Sequence, residues 1–174
     1  MVFAVVLIAA CGGVPSRHPA AVRGGVPATG PGFPVERADP SPQDLRLSGS
    51  VKGYVTQARA VCVQLAPPPE AEFVAQLLLE LKPGPYLLVL AVRPYIGPGS
   101  YADGGARPAS GEPVATITLS RWRTPPTDAP SRPTRPSSFT VDGTGLAGRL
   151  SGQGIPAAGG KVSISGSWNC LPLR

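Results

Sequence analysis

The chain has 174 residues, of which 23 are prolines and 22 are glycines, and a share of about 26% for these two types is typical of low-complexity or disordered sequence. Apolar residues make up 42% and charged residues only 15%, which excludes a wholly disordered chain, because such chains are poor in apolar residues and rich in charge. The net charge is +6, and three cysteines with a single histidine argue against most metal sites and most histidine-based catalysis. The composition predicts one folded domain joined to a Pro/Gly-rich tether.

Residues 1–10 form the uncharged apolar run MVFAVVLIAA. The run is shorter than the ~20 apolar residues of a transmembrane helix, but it has the length of the apolar core of a secretory signal, ~7–15 residues. Its end, Ile8-Ala9-Ala10-Cys11, resembles the lipobox of bacterial lipoproteins, in which the signal is removed and the cysteine carries the lipid. The run departs from a signal peptide in one respect: the positively charged start is missing, since the first basic residue is Arg17. We therefore expect the true translation start to lie upstream. The alternative is an N-terminal strand or buried segment.

The tether is predicted over residues 11–44, which contain seven prolines and six glycines in 34 positions. Such a segment buries too little apolar surface to offset the entropy of ordering it, so we expect a disordered spacer. His18 lies in this segment, and we therefore expect neither a catalytic nor a metal-binding role for the only histidine.

Residues 45–174 are predicted to form an all-β domain, an antiparallel β-sandwich or barrel-like fold of seven to eight strands. The dominant pattern alternates apolar and polar residues, as in half-buried strands, and the run YLLVLAV at 86–92 suits a strand covered on both faces. Asp142-Gly143-Thr144-Gly145 predicts a tight hairpin turn, whereas 97–111 and 123–136 are predicted as loops. The predicted strands are 45–55, 58–65, 86–92, 115–120, 138–141, 146–150 and 162–168, with 70–82 as the eighth.

The segment 70–82 (EAEFVAQLLLELK) also fits a helix. Three prolines precede it, two glutamates open it and Pro83-Gly84 follows it, all of which are helix boundary signals. A strand is favoured, because the short link at Lys82–Pro85 suits a hairpin into the next strand.

If Cys11 carries a lipid, Cys62 and Cys170 remain as an even pair in an exported protein, where disulfides persist. The bridge would close a loop of about a hundred residues, worth ~4–5 kcal/mol in the chain-entropy model. Without acylation, Cys11–Cys62 and Cys11–Cys170 remain open, as does the alternative of two buried, unpaired thiols.

Several segments together resemble small exported β-sandwich lipoproteins of high-GC bacteria. Besides the lipobox-like start and the tether, they are Ala60-Val61-Cys62, the loop YIGPGSY at 95–101, FTVDGTG at 139–145 and VSISGSWNC at 162–170. The resemblance covers residues 45–170. It implies an all-β domain with a disulfide from an early strand to the last one, and it implies no activity.

Sites for chemistry are sparse in the domain. No His/Cys cluster has metal-ligand spacing, no glycine-rich loop has a phosphate-binding pattern, and no pair of carboxylates stands out. We therefore expect a non-catalytic protein without a cofactor. Nucleic acid is not an expected partner, because export separates the protein from it.

The sequence offers one candidate binding surface. Trp122 lies between Arg121 and Arg123, and Arg132 and Arg135 follow in the same loop. Indole and guanidinium groups can hold sugar rings or anionic polymers by stacking, cation–π contact and charge; the alternative is that Trp122 packs beneath its own loop. Tyr95 and Tyr101 are predicted to anchor their loop. The leading prediction is thus an exported, lipid-anchored, non-catalytic surface protein that meets the membrane through Cys11, and the rival is a cell-envelope module for carbohydrate or polyanion.

Overall fold

The computed structural model describes residues 34–65, 70–103, 111–122, 137–157 and 159–171. The apolar run 1–10, Cys11 and the predicted tether up to residue 33 lie outside the described residues. A 3-10 helix, Pro34–Arg37, comes before nine strands. The strands are β1 (Pro40–Gly49), β2 (Gly53–Leu65), β3 (Glu72–Leu81), β4 (Gly84–Arg93), β5 (Gly99–Asp103), β6 (Val114–Arg121), β7 (Ser137–Val141), β8 (Ala147–Ala157) and β9 (Gly160–Asn169).

All nine strands belong to one antiparallel sheet in the order β5-β7-β8-β9-β1-β2-β3-β4-β6. The sheet curls until its edge strand β6 lies beside β5 and β8, so that the fold is nearly barrel-shaped. The prediction of an all-β, antiparallel domain is confirmed. The described residues contain nine strands where the sequence predicted seven or eight.

The core fills the inside of the curled sheet, and strand alternation selects its residues. In β6, Ala115, Ile117 and Leu119 are buried while Thr116 is exposed, which is the alternation that the sequence predicted. In β9, Val162, Ile164 and Trp168 point inward, and Trp168 is among the largest fully buried side chains. A half-buried strand places every second side chain on the core face, so the residue pattern alone determines these inward positions.

The ambiguous segment 70–82 forms strand β3, as the sequence favoured. It pairs with β4 through a hairpin in which Leu81 faces Gly84 across the two-residue loop Lys82-Pro83. Both strands are buried on both faces. On the outer face, Leu78 and Leu87 contact Val35 of the 3-10 helix, which explains the continuous apolar runs: the second face of β3 and β4 is also covered.

The first predicted strand, 45–55, is wrong in extent, because the chain turns at residues 50–52. Gly49 ends β1 at a φ of +109°, and a Cβ there would lie 2.4 Å from the carbonyl oxygen of Lys161. Ser50 N donates to the same carbonyl oxygen at 3.0 Å. A glycine suits this position because it tolerates both the positive φ and the close approach of the backbone.

The ordered sheet begins earlier than composition predicted. The tether was predicted up to residue 44, but Pro34–Arg37 form a 3-10 helix that packs on the sheet through Val35, and β1 starts at Pro40. Ser41 and Gln43 are buried on the same side of β1 as Leu45 and Leu47. Because these two inward side chains are polar, the sequence shows no alternation of apolar and polar residues over 40–44.

Strand β5, Gly99–Asp103, lies in the segment 97–111 that was predicted as a loop. It is a five-residue edge strand whose inward side chains are Tyr101 and Asp103. With one apolar side chain facing the core, its sequence carries too little alternation to mark it as a strand.

The Cys62–Cys170 disulfide is confirmed, with a Cα–Cα distance of 5.8 Å and a sequence separation of 108. Cys62 belongs to β2, and Cys170 follows β9; β1 lies between these strands in the sheet. The ladder of β1 and β2 starts at the pair Pro40–Arg59, so Cys62 lies beyond the start of β1. The bridge therefore joins β2 to β9 where no intervening strand separates them.

Candidate functional site

Trp122 follows β6 directly and lies on the outer face of the sheet, in agreement with its predicted parity. Its backbone N donates to the carbonyl oxygen of Pro85 at 3.0 Å. The half-buried ring packs against a small outer cluster formed by Val35, Leu78 and Leu87. Trp122 thus helps to hold the 3-10 helix on the sheet. This is a structural role, although the sequence predicted as its alternative that Trp122 packs beneath its own loop.

Of the four arginines assigned to this surface, the structure describes only Arg121, which is exposed at the end of β6. Arg123, Arg132 and Arg135 lie outside the described residues. A surface for sugars or anionic polymers around Trp122 therefore stays a prediction.

A different candidate site lies at the other end of the sheet. β4 starts beside Trp122 and runs for ten residues, a length of about 33 Å at ~3.3 Å per residue. Beyond its far end is a groove of about 790 Å³, which we call the end cleft. This volume is in the range of small-molecule sites, ~300–1,000 Å³. Its lining residues are Gln64, Pro94, Tyr95, Ile96, Gly97, Pro98, Gly111, Gly143, Thr144 and Gly145.

One wall of the end cleft is the loop between β4 and β5, which aromatic contacts fasten to the core. Ring centroids lie 5.3 Å apart for Phe73 and Tyr95 and 6.0 Å apart for Tyr95 and Tyr101. The series continues inward through Phe73 to Trp168, at 6.0 Å. Tyr101 is buried and its hydroxyl donates to the carbonyl oxygen of Gly97. The expectation that Tyr101 anchors this loop agrees with these contacts.

The opposite wall is the β7–β8 turn, which Asp142 organises as the sequence predicted for a tight hairpin turn. Asp142 Oδ1 accepts hydrogen bonds from Thr144 N at 3.0 Å and from Thr144 Oγ1 at 2.6 Å. Asp142 N donates to the carbonyl oxygen of Ala147 at 2.8 Å. The hydroxyl of Thr144 is the main cause that holds the pKa of Asp142 below its ordinary value. The carboxyl group is therefore ionised at neutral pH.

The two walls are electrostatically connected. Burial raises the pKa of Tyr95, and the negative charge of Asp142 raises this pKa further. The phenol of Tyr95 is therefore neutral at physiological pH and able to donate a hydrogen bond. No side chain among the described residues that line the cleft carries a charge.

A smaller groove of about 410 Å³ lies at β1, β7, β8 and β9. Its polar lining includes Asp44, Arg149, Ser151 and Ser167. Among the described residues that line it, the one aromatic side chain, Phe139, is buried in the core.

Comparison of the chain with protein-family models, with curated proteins and with solved structures gave no match. Within the described ranges, no group of three or more His, Cys, Asp or Glu side chains is placed to hold a metal ion. In the same part of the chain, no helix has the length and apolar character needed to cross a membrane.

Sequence reasoning did not find the end cleft, because its lining comes from four separate parts of the chain. One local signal was present: Ile96 lies between two aromatic anchors in a loop rich in proline and glycine, and 74% of its surface is exposed. A single exposed aliphatic residue is common on protein surfaces, so this signal could not identify the site without the rest of the lining.

Proposed function

We propose that the chain is an exported, lipid-anchored protein of the cell envelope, with a non-catalytic β-domain held at the membrane through Cys11. The domain is taken as a single barrel-like sheet rather than two separate sheets, since its nine described strands share one hydrogen-bonded order. The proposal also places the chain among the lipoproteins of high-GC bacteria that it resembles.

The observation that carries the proposal is the Cys62–Cys170 disulfide. Both cysteines are half-buried at the margin of the main core, so the bridge is part of the packed fold. Disulfides persist in oxidising compartments and are rare in the cytosol. A domain that contains such a bridge, behind an N-terminal run that ends in Ile8-Ala9-Ala10-Cys11, fits export followed by lipid attachment.

The third cysteine supports the same assignment. Of the three cysteines in these 174 residues, Cys62 and Cys170 are bonded to each other, which leaves Cys11. Acylation at the junction gives this thiol a chemical role. The residues between Cys11 and Pro34 would then be the spacer that separates the domain from the bilayer.

The test is lipid labelling and membrane fractionation of the full chain in a bacterial host with lipoprotein processing. Wild-type protein is expected to take up labelled fatty acid and to sediment with membranes, and Cys11→Ser is expected to lose both properties. The matched control is the double variant Cys62→Ser/Cys170→Ser, which keeps Cys11 and is expected to retain the label. Unchanged labelling of Cys11→Ser would overturn the proposal.

A further inference from the structure

We infer that the end cleft is a binding site for an uncharged oligosaccharide. This inference does not depend on the lipid anchor, because every residue that carries it belongs to the described domain. It also differs from the surface predicted around Trp122, which lies at the other end of β4.

One wall of the end cleft is apolar. Pro94, Tyr95, Ile96 and Pro98 line one side of the cleft, and Ile96 is 74% exposed. Tyr95 is half-buried, and its ring is therefore partly accessible from the cleft. A pyranose ring presents a face of C–H groups, which packs on aromatic and aliphatic side chains and removes apolar surface from water.

This apolar wall is already formed in the structure without a ligand. Tyr95 N donates to the carbonyl oxygen of Ala71 at 2.7 Å, and the ring of Tyr95 contacts Phe73 and Tyr101. The hydroxyl of Tyr101 holds the loop at Gly97. A site held in this way loses little conformational entropy when a ligand binds.

The remainder of the cleft lining is polar and rich in glycine. A Cβ placed on Gly97, Gly111, Gly143 or Gly145 would meet no atom within 4 Å, so a ligand can approach the backbone there. The exposed Gln64 adds an amide that can donate and accept hydrogen bonds. The hydroxyl groups of a sugar require such donors and acceptors beside an apolar surface.

A negative charge lies beside the cleft. The ionised carboxylate of Asp142 adjoins the lining residue Gly143, and its charge acts on Tyr95. A phosphate, sulfate or uronic acid placed against Tyr95 would therefore be repelled by this carboxylate, although the whole chain carries a net charge of +6.

The combination selects the ligand class. A purely apolar ligand would leave the backbone groups of the glycines and the amide of Gln64 without hydrogen-bond partners. An anionic ligand would be repelled by the carboxylate of Asp142. A peptide that binds by adding a strand needs a free strand edge, whereas the cleft is lined mainly by loops and strand ends. An uncharged sugar fits both walls.

The experiment is isothermal titration of the full chain, in detergent, with uncharged tetrasaccharides of the chitin, cellulose and starch types. Oligogalacturonate of the same length is the anionic probe. At least one uncharged probe is expected to bind in the micromolar to millimolar range, and Ile96→Ser is expected to weaken this binding at least tenfold. Because Ile96 is exposed, the variant should fold. The matched control is Tyr54→Ser, which removes a side chain that is 57% exposed at the start of β2 and should leave the affinity unchanged.

Three outcomes would overturn the inference. One is no binding of any uncharged probe, and another is equal affinity of Ile96→Ser and wild type. The third is binding of the anionic probe that is lost in Trp122→Ala but kept in Ile96→Ser, which would assign sugar recognition to the predicted tryptophan–arginine surface. If the Cys11→Ser experiment contradicts the lipid anchor, the proposal of a sugar site in the end cleft still stands, so each proposal is tested independently.

Discussion

Gln43 and Asn169 exchange two hydrogen bonds across strands that lie 126 positions apart in the chain. Gln43 Nε2 donates to the carbonyl oxygen of Asn169 at 2.7 Å, and Asn169 N donates to Gln43 Oε1 at 3.0 Å. The backbone ladder between β1 and β9 starts one residue later, at the pair Asp44–Ser167. The glutamine side chain thus continues the ladder beyond the backbone pairing, directly beside the disulfide at Cys170.

Gln43→Ala should destabilise the domain by about 1–3 kcal/mol, because Asn169 N loses its acceptor in a partly buried place, while the carbonyl oxygen of Asn169 keeps only the hydrogen bond from Ser41 Oγ. Chemical denaturation followed by circular dichroism measures this loss. Gln57→Ala is the matched control, since Gln57 is exposed on β2, and its effect should stay within about 0.5 kcal/mol. Equal stability of the two variants would show that the exchange of hydrogen bonds is not stabilising.

Cys62→Ser/Cys170→Ser should lower the free energy of unfolding by about 4 kcal/mol, because the bridge closes a loop with a sequence separation of 108. A fold with a typical stability of ~5–15 kcal/mol would remain folded or become marginal. Denaturation of wild-type protein with and without reductant provides the same comparison without mutation. Two reactive thiols from these cysteines in the denatured, unreduced domain would contradict the bridge.

Gly166→Ala should be strongly destabilising, by several kcal/mol, or should prevent folding. Gly166 has a φ of +134°, and a Cβ there would lie 1.7 Å from the carbonyl oxygen of Asp44, so the ladder between β1 and β9 would have to separate. Gly84→Ala is the control, because a Cβ at Gly84 meets nothing within 4 Å. Comparable melting temperatures for the two variants would refute the close approach of β1 and β9.

Thr144→Val should raise the pKa of Asp142 toward its ordinary value, because the valine cannot donate the hydrogen bond that stabilises the carboxylate. With a folded pKa below the unfolded value, this carboxylate contributes stability above about pH 4 and loses it as the pH falls through the folded pKa. Carbon-13 NMR titration of the Asp142 carboxyl group measures the change. Thr116→Val, on the exposed side of β6, is the control and should leave the titration where it was.

The sequence predicted the strands with one exposed and one buried face, and it also predicted β4, whose continuous apolar run indicated a strand covered on both faces. The alternation in β6 and β9 was sufficient to assign inward residues such as Ile117 and Trp168. Alternation failed to indicate the first residues of β1, because the inward side chains there, Ser41 and Gln43, are polar. Their burial depends on hydrogen bonds to Asn169, which is distant in sequence. The even number of cysteines left after Cys11 predicted the disulfide. It did not predict that β1 lies between the two strands that the disulfide joins.

The candidate site was less accessible to sequence reasoning than the fold. Trp122 was predicted as a binding residue because arginines flank it in the sequence. Its ring instead packs on Leu78 and Leu87 of the β3–β4 hairpin, which begins fifty residues earlier. The end cleft forms where four parts of the chain come together: the end of β2 at Gln64, the loop after β4, Gly111 before β6, and the turn after β7. Local patterns do not encode such meetings, because they arise from the curl of the whole sheet.

The most direct test of the account is intact-mass spectrometry of the protein purified from membranes of its natural host without reductant. The account predicts a mature chain that begins at Cys11, carries the added mass of lipid on this residue, and lacks the two hydrogens lost in forming the Cys62–Cys170 bridge. A chain that retains residues 1–10, or one with an unmodified Cys11 thiol, would contradict it.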